Sequence, residues 1–312
     1  MRSIHDHLLT RRVAMGGLAA GIGLTLSGSL LAADTAPVIT KAIPRTAERL
    51  PVIGLGTNAY SVSAPEELAA RREVLQKFPV LGAKVVDTAR AYGESEVVIG
   101  KLVASLGIRD QLFLATKTSA RGDIPTGDGE LEAALQRLQT DRLDLLQVHN
   151  FHAVDQLLPR LREWQQAGKV RYIGVTTSTD DQYPHMIEVL KTFPLDFIQV
   201  DYSLDNRGAA DRILPLAQDK GVGVLVNMPL GGRRGSLMSR LADKPLPPWS
   251  GELGVTSWAQ LLLKYAVSHP AVTVAIPGTT KLKHLEDNQL AARGQLPDAA
   301  QRRRMEQYWQ TV

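Results

Sequence analysis

The chain has 312 residues, 44% hydrophobic and 22% charged, and contains no cysteine. The absence of thiols excludes a disulfide scaffold, thiolate metal sites, iron–sulfur clusters and a cysteine nucleophile. Its 36 basic and 32 acidic residues give a formal net charge of +4, too even a balance to indicate a nucleic-acid binder.

Residues 1–33 read as an address rather than as structure. Thr10-Arg11-Arg12 precedes an uncharged stretch that begins at Val13, carries Gly16, Gly17, Gly21, Gly23 and Gly28, and ends in Leu31-Ala32-Ala33. A basic start, an apolar middle and a small-residue exit form a signal-peptide pattern, and the paired arginines point to the twin-arginine export machinery. The expectation is cleavage near Ala33 and delivery in folded form to the periplasm or a similar compartment, with no stable membrane insertion. A retained membrane anchor is the alternative. The glycines, which lower helix propensity, and the lack of a following basic flank argue against it.

Residues 34–49 read as a lead-in, and residues 50–312 as one domain. There, short apolar runs alternate with longer amphipathic stretches. The pattern predicts strands at 52–56, 84–89, 112–117, 143–150, 172–177, 197–202, 223–228 and 273–277. They are rich in Val, Ile, Leu or Phe without strict alternation, as strands covered on both faces should be. Helical patterns between them include 66–77, 95–106, 130–139, 154–167 and 209–220, with Gly107, Gly168 and Gly221 where helix C-caps belong. Alternation of this kind predicts an α/β fold, a parallel (β/α)8 TIM barrel. An open doubly wound sheet is the alternative, yet Gly54-Leu55-Gly56 is only a fragment of its G-x-G-x-x-G fingerprint. Pro245-Leu246-Pro247-Pro248 marks a loop rather than a domain boundary.

In such a barrel the C-terminal strand ends build the site. Those positions hold Asp87 and Tyr92 after the second strand, Lys117 after the third and His149 at the end of the fourth. Each alone has an ordinary structural reading, as a turn cap, a rim aromatic, a snorkelling lysine or a half-buried imidazole. Together they divide one task. A phenol is a poor acid at neutral pH, a neighbouring ammonium stabilises the phenolate, and a carboxylate keeps that ammonium charged when buried. An imidazole orients a carbonyl oxygen. The set fits protonation of an oxygen that gains negative charge as hydride reaches its carbon. The sequence has no H-E-x-x-H motif or carboxylate cluster, and His149 and His152 do not form a ligand pair if His149 lies in a strand, so no metal is expected.

The segment Val86-Asp87-Thr88-Ala89-Arg90-Ala91-Tyr92-Gly93-Glu94-Ser95-Glu96 resembles the first signature of the aldo-keto reductase family. Ala115-Thr116-Lys117-Thr118 resembles the segment holding that family's lysine, and Leu143-Asp144-Leu145-Leu146-Gln147-Val148-His149 the segment holding its histidine. The resemblance runs from Leu50 to about Asn288. It implies a nicotinamide cofactor extended across the C-terminal face and a small aldehyde or ketone as substrate. Tyr92 would donate the proton, Lys117 and Asp87 would tune it, and His149 would orient the carbonyl.

The resemblance carries over to the cofactor positions less evenly. Gly56 and Thr57 match the family's Gly-Thr after the first strand, and Gln199 matches the glutamine that contacts the carboxamide. Thr176 and Thr177 stand where the family usually has Ser-Asn, which keeps a hydroxyl and loses an amide. Asn227 stands where a tyrosine usually stacks on the nicotinamide. Leu230 and Gly231 lead into the basic loop Gly232-Arg233-Arg234-Gly235, suited to the pyrophosphate or to solvent. At the adenine end, a glycine-containing turn feeds a helix N-terminus, where free backbone N–H groups suit phosphate. There Thr279 and Lys281 read as 2′-phosphate contacts favouring NADP(H) over NAD(H). His284 stands where many relatives carry arginine, and Asp287 and Asn288 read as adenine contacts. Trp249, Tyr60 and Phe151 are candidate walls of the substrate pocket, each equally readable as rim packing.

The departures at Thr177 and Asn227 leave a second reading open, a catalytically weak nucleotide-binding scaffold or sensor on the same barrel. A barrel lyase forming an adduct through Lys117 is a weaker third.

Overall fold

The computed structural model describes residues 36–118, 129–232 and 236–312. The signal-peptide reading of residues 1–33 and the reading of Arg233-Arg234-Gly235 lie outside them. The chain order is β1 (Thr40–Ala42), β2 (Arg49–Pro51), β3 (Leu55–Gly56), α1 (Pro65–Val80), β4 (Val85–Asp87), α2 (Ser95–Leu106), β5 (Phe113–Lys117) and α3 (Gly129–Leu138). Next come β6 (Leu143–Val148), α4 (Val154–Gln166), β7 (Val170–Thr176), α5 (Tyr183–Thr192), β8 (Phe197–Asp201), α6 (Ala209–Asp219) and β9 (Gly223–Asn227). The last five are α7 (Ser236–Leu241), α8 (Trp258–Ser268), β10 (Val274–Ala275), α9 (Leu282–Leu290) and α10 (Ala299–Trp309).

Strands β3 to β10 form one parallel sheet in chain order. The sheet closes on itself. Gly54 N–H donates to the Ala275 carbonyl at 2.8 Å, Ala275 N–H to Val52 at 2.9 Å and Gly56 N–H to Pro277 at 3.0 Å. These bonds pair the first strand with the last and leave no free edge.

Side chains on each strand alternate between the barrel interior and the helical shell. One parity fills the interior with Val85, Phe113, Ala115, Leu145, Phe197, Leu225, Val274 and Ile276. The other, including Val86, Leu114, Leu146, Ile198 and Val224, packs with helix residues such as Leu75, Ile99, Leu161 and Leu262. Both parities are apolar, which is why the sequence shows continuous rather than alternating runs. At Gly174 a Cβ would lie 2.5 Å from the Phe197 carbonyl oxygen, so the close approach of β7 and β8 requires glycine. Following the interior parity toward the C-terminal strand ends replaces apolar groups by polar ones: Asp87, Lys117, Gln147, Thr176, Gln199 and Asn227.

Three features differ from the sequence expectation. The lead-in carries an antiparallel hairpin, β1 against β2 with Thr40 opposite Pro51. Its Ile43 and Leu50 enter the interior cluster and plug the N-terminal end of the barrel. The first barrel strand is accordingly shorter than residues 52–56. The strand expected over 143–150 stops at Val148, and His149–Phe151 form a 3₁₀ turn, so His149 lies just beyond the strand rather than in it. This turn bends the chain sharply, with positive φ at Asn150 (50°), Phe151 (58°) and Ala153 (52°).

Candidate active site

A cavity of about 640 Å³ opens at the C-terminal ends of the strands. Of the residues marked from the sequence, Gly56, Thr57, Asp87, Tyr92, Lys117, His149, Thr176, Gln199, Asn227, Leu230 and Gly231 line it. Its volume falls within the range of small-molecule and cofactor sites.

The charged centre is a buried pair. Lys117 Nζ lies 2.5 Å from Asp87 Oδ2 and donates a second bond to the Thr88 carbonyl at 2.9 Å. Lys117 is 3% exposed and Asp87 2%. Burial pulls the Lys117 ammonium toward neutrality, but the Asp87 carboxylate, aided by Tyr92, outweighs this and leaves its pKa above the ordinary lysine value. Asp87 also accepts from Gln147 Nε2 on Oδ1 at 3.3 Å and from Gln199 Nε2 on Oδ2 at 3.2 Å. A carboxylate only accepts, so both glutamines turn their nitrogens to it. Their buried Oε1 atoms have no donor among the described residues.

Above this pair the Lys117 ammonium lies 5.1 Å from the centre of the Tyr92 ring. Tyr92 meets His149 edge-on, with ring centres 6.0 Å apart. Burial, reinforced by the charge of Lys117 and by His152, lowers the His149 pKa to about 3, so the imidazole is neutral through the physiological range. Among the described residues its buried Nδ1 has no partner.

Thr176 and Thr177 part company because strand parity turns them in opposite directions. Thr176 lines the cavity and accepts the Asn150 N–H on Oγ1 at 3.1 Å. The Thr177 hydroxyl instead donates to Gln182 Oε1 at 2.7 Å, and the Thr177 carbonyl accepts from Asn227 Nδ2 at 2.9 Å. Asn227 Oδ1 is buried with no partner among the described residues.

The remaining marked residues do not line this cavity. Thr279 uses its hydroxyl on the Lys281 backbone, and Lys281 and His284 are exposed at the start of α9. The Asp287 carboxylate takes Ser257 Oγ at 2.7 Å and Gln260 Nε2 at 2.6 Å, while Asn288 is buried. The candidate walls also lie elsewhere. Tyr60 is buried with its hydroxyl on the Thr279 carbonyl, Phe151 stacks on His185, and Trp249 meets Tyr308 edge-on. Asn58, Asn150 and Ser178 line the cavity without having been marked. Gln147 was also missed, although its place two residues before His149 puts it on the inward parity.

The model of the Aldo/keto reductase family matches residues 52–307. The chain is 36% identical over 166 residues to aldo-keto reductase YhdN of Bacillus subtilis, a match over 46% of this chain and 47% of that protein. The matched part thus spans less than half of that relative's length. With methylglyoxal reductase YeaE of Escherichia coli it shares 29% identity over 249 residues, covering 77% of this chain and 84% of that one. A solved structure of an aldo/keto reductase from Klebsiella pneumoniae in complex with NADP and acetate aligns with a TM-score of 0.70 at 25% identity, over 87% of this chain and 96% of that one.

Proposed function

The chain belongs to the aldo/keto reductase family, and on that premise we propose that it reduces an aldehyde or ketone with NADP(H), using Tyr92 as proton donor. The observation that carries this reading is the buried Lys117–Asp87 pair, 2.5 Å apart, lying beneath Tyr92 and facing a neutral His149.

The cavity suits a nicotinamide. Gln199 and Asn227 line it with their nitrogens engaged and their oxygens lacking donors, a complement to the N–H groups of a carboxamide. Gly56, Thr57, Thr176, Leu230 and Gly231 would hold the neighbouring atoms, and Thr177 contributes by fixing Asn227. We assign the adenine and 2′-phosphate half to Thr279, Lys281, His284, Asp287 and Asn288, with the exposed Lys281 ammonium favouring NADP(H) over NAD(H).

A nicotinamide held by these residues would supply the hydride for the carbonyl carbon. His149 donates from Nε2 to the carbonyl oxygen and fixes its direction of approach. Tyr92 delivers its hydroxyl proton to that oxygen as negative charge develops. Lys117 stabilises the phenolate left behind, and Asp87 keeps the lysine charged despite its burial. The assembled set weighs against the scaffold reading. We further assign residues 1–33 to a twin-arginine signal, so that cofactor is bound before folded export and retained by the mature domain.

Titration of NADPH and NADH, followed by tryptophan fluorescence, tests the cofactor assignment. NADPH oxidation against a panel of aldehydes and ketones tests the chemistry. NADPH-selective binding with carbonyl-dependent oxidation is expected. Binding without turnover of any carbonyl would restore the scaffold reading, and binding of neither nucleotide would defeat both.

A further inference from the structure

The turn that carries His149 is held from outside. Asn150, Phe151 and Ala153 all have positive φ, and non-glycine residues keep such a conformation only where their surroundings over-determine it. Thr176 Oγ1 accepts the Asn150 N–H at 3.1 Å. Two further supports come from the start of α5. Gln182, the residue before that helix, donates from Nε2 to the Asn150 carbonyl at 3.4 Å, and His185 stacks on the Phe151 ring with 4.5 Å between centres. Tyr183, which lies between them in the chain, anchors the start of α5 to β8 through its hydroxyl on Asp201 Oδ1 at 3.0 Å.

Gln182 donates to the turn only with its amide nitrogen on that side. The Thr177 hydroxyl sets this orientation. It is fully buried and accepts the Thr179 N–H at 3.2 Å, and its own proton goes to Gln182 Oε1 at 2.7 Å. With the oxygen so engaged, Nε2 faces Asn150. We propose that Gln182, oriented by Thr177, is a positioning residue that fixes this turn and with it the direction of the His149 imidazole. Gln182 does not line the cavity, so its effect on a reaction passes through the turn. This assignment rests on the reductase reading of the site.

The test is a double-mutant cycle read in kcat/KM for a good carbonyl substrate with NADPH. Gln182→Met keeps the length of the side chain and removes the amide, and the Thr177 hydroxyl can then turn to the Thr179 carbonyl, 3.2 Å away. It should lower kcat/KM about tenfold, with NADPH affinity changed less than about twofold. In a His149→Ala background the same substitution should cost less than about twofold, since no imidazole is left to direct. Thr177→Val should lower kcat/KM several-fold by freeing the amide to turn over, and Thr177→Ser should recover most of that loss. A second measurement does not depend on turnover. In protein isotope-labelled at the histidine nitrogens, the His149 ring signals, identified by their absence from His149→Ala, should shift or split in Gln182→Met. Those of His269, which meets Tyr202 edge-on, should stay in place. An equal loss in both backgrounds, or unchanged His149 signals, overturns the proposal. If the wild-type protein turns over no carbonyl yet the signals move, the reductase reading falls and the positioning of His149 by Gln182 stands.

Discussion

The two ends of the barrel treat their polar groups in opposite ways. At the N-terminal end, Asp144 receives Arg171 at 2.7 Å on one oxygen and both Arg109 at 2.9 Å and the Leu114 N–H at 2.8 Å on the other. Glu48 takes Arg171 and the Tyr172 hydroxyl, and Ile43 and Leu50 seal the interior. At the C-terminal end, Gln147 Oε1, Gln199 Oε1, Asn227 Oδ1 and His149 Nδ1 are buried with no partner among the described residues. Three non-glycine residues following His149 hold positive φ. A left-handed non-glycine residue costs about 1–2 kcal/mol. One end is built to persist. The other turns polar side chains and a left-handed turn toward an open cavity, and backbone strain of this kind clusters at ligand sites.

Substitutions at each end should therefore fail in different ways. Tyr92→Phe is expected to lower kcat about 10²- to 10⁴-fold, the usual contribution of a general acid, with NADPH affinity nearly preserved. Retention of the wild-type rate on a good carbonyl substrate would remove Tyr92 from the mechanism. Lys117→Met strands the Asp87 carboxylate in the interior and should cost about 3–5 kcal/mol in denaturant unfolding, alongside its loss of turnover. Adding Asp87→Leu should recover part of that stability and none of the activity. If the double variant is no more stable than Lys117→Met, the buried pair is not the source of the loss.

At the opposite end, Asp144→Ala should lower stability by about 1–3 kcal/mol while kcat holds. A fall in kcat with unchanged stability would mean that the two ends are coupled. A further effect concerns acid. Above the unfolded histidine value near 6.5, His149 is neutral in both states and adds no pH dependence. As pH falls from 6.5 toward its folded value of about 3, the unfolded chain gains a proton that the folded one refuses, so stability is lost. His149→Gln should flatten the acid limb of a Tm-against-pH curve. Some slope should remain from His269, which burial, then Arg302 and Lys41, lower to about 4. An unchanged acid limb would place the lability elsewhere.

The chain itself made the barrel and most of its polar mouth legible. Asp87 and Lys117 end apolar runs and Gln199 interrupts one, and both signals are visible without coordinates. The same parity that places Gln199 inward also places Gln147 inward, so the signal for the second glutamine on Asp87 is present in the sequence beside the more reactive His149. Thr177 shows the limit of motif reading. Adjacent strand residues face opposite ways, and only Thr176 reaches the cavity. The hairpin was hidden because strands of three residues are too short to display a period, and its pairing is set by the barrel end it seals. Asn150 was hidden because a left-handed turn after β6 leaves no hydrophobic pattern to read.

The seam that closes the barrel joins the two ends of the chain. Gly54 and Gly56 bond to residues around β10, and Lys41 donates to the carbonyls of Val267, His269 and Val272, the last 231 positions away. Loop-closure entropy makes so distant a contact slow to form, so the seam belongs late in folding. A chain emerging from the ribosome exposes two raw sheet edges until Val274 and Ala275 have been synthesised, and both invite pairing with other chains. The fold is thus most in need of chaperone cover just before its completion.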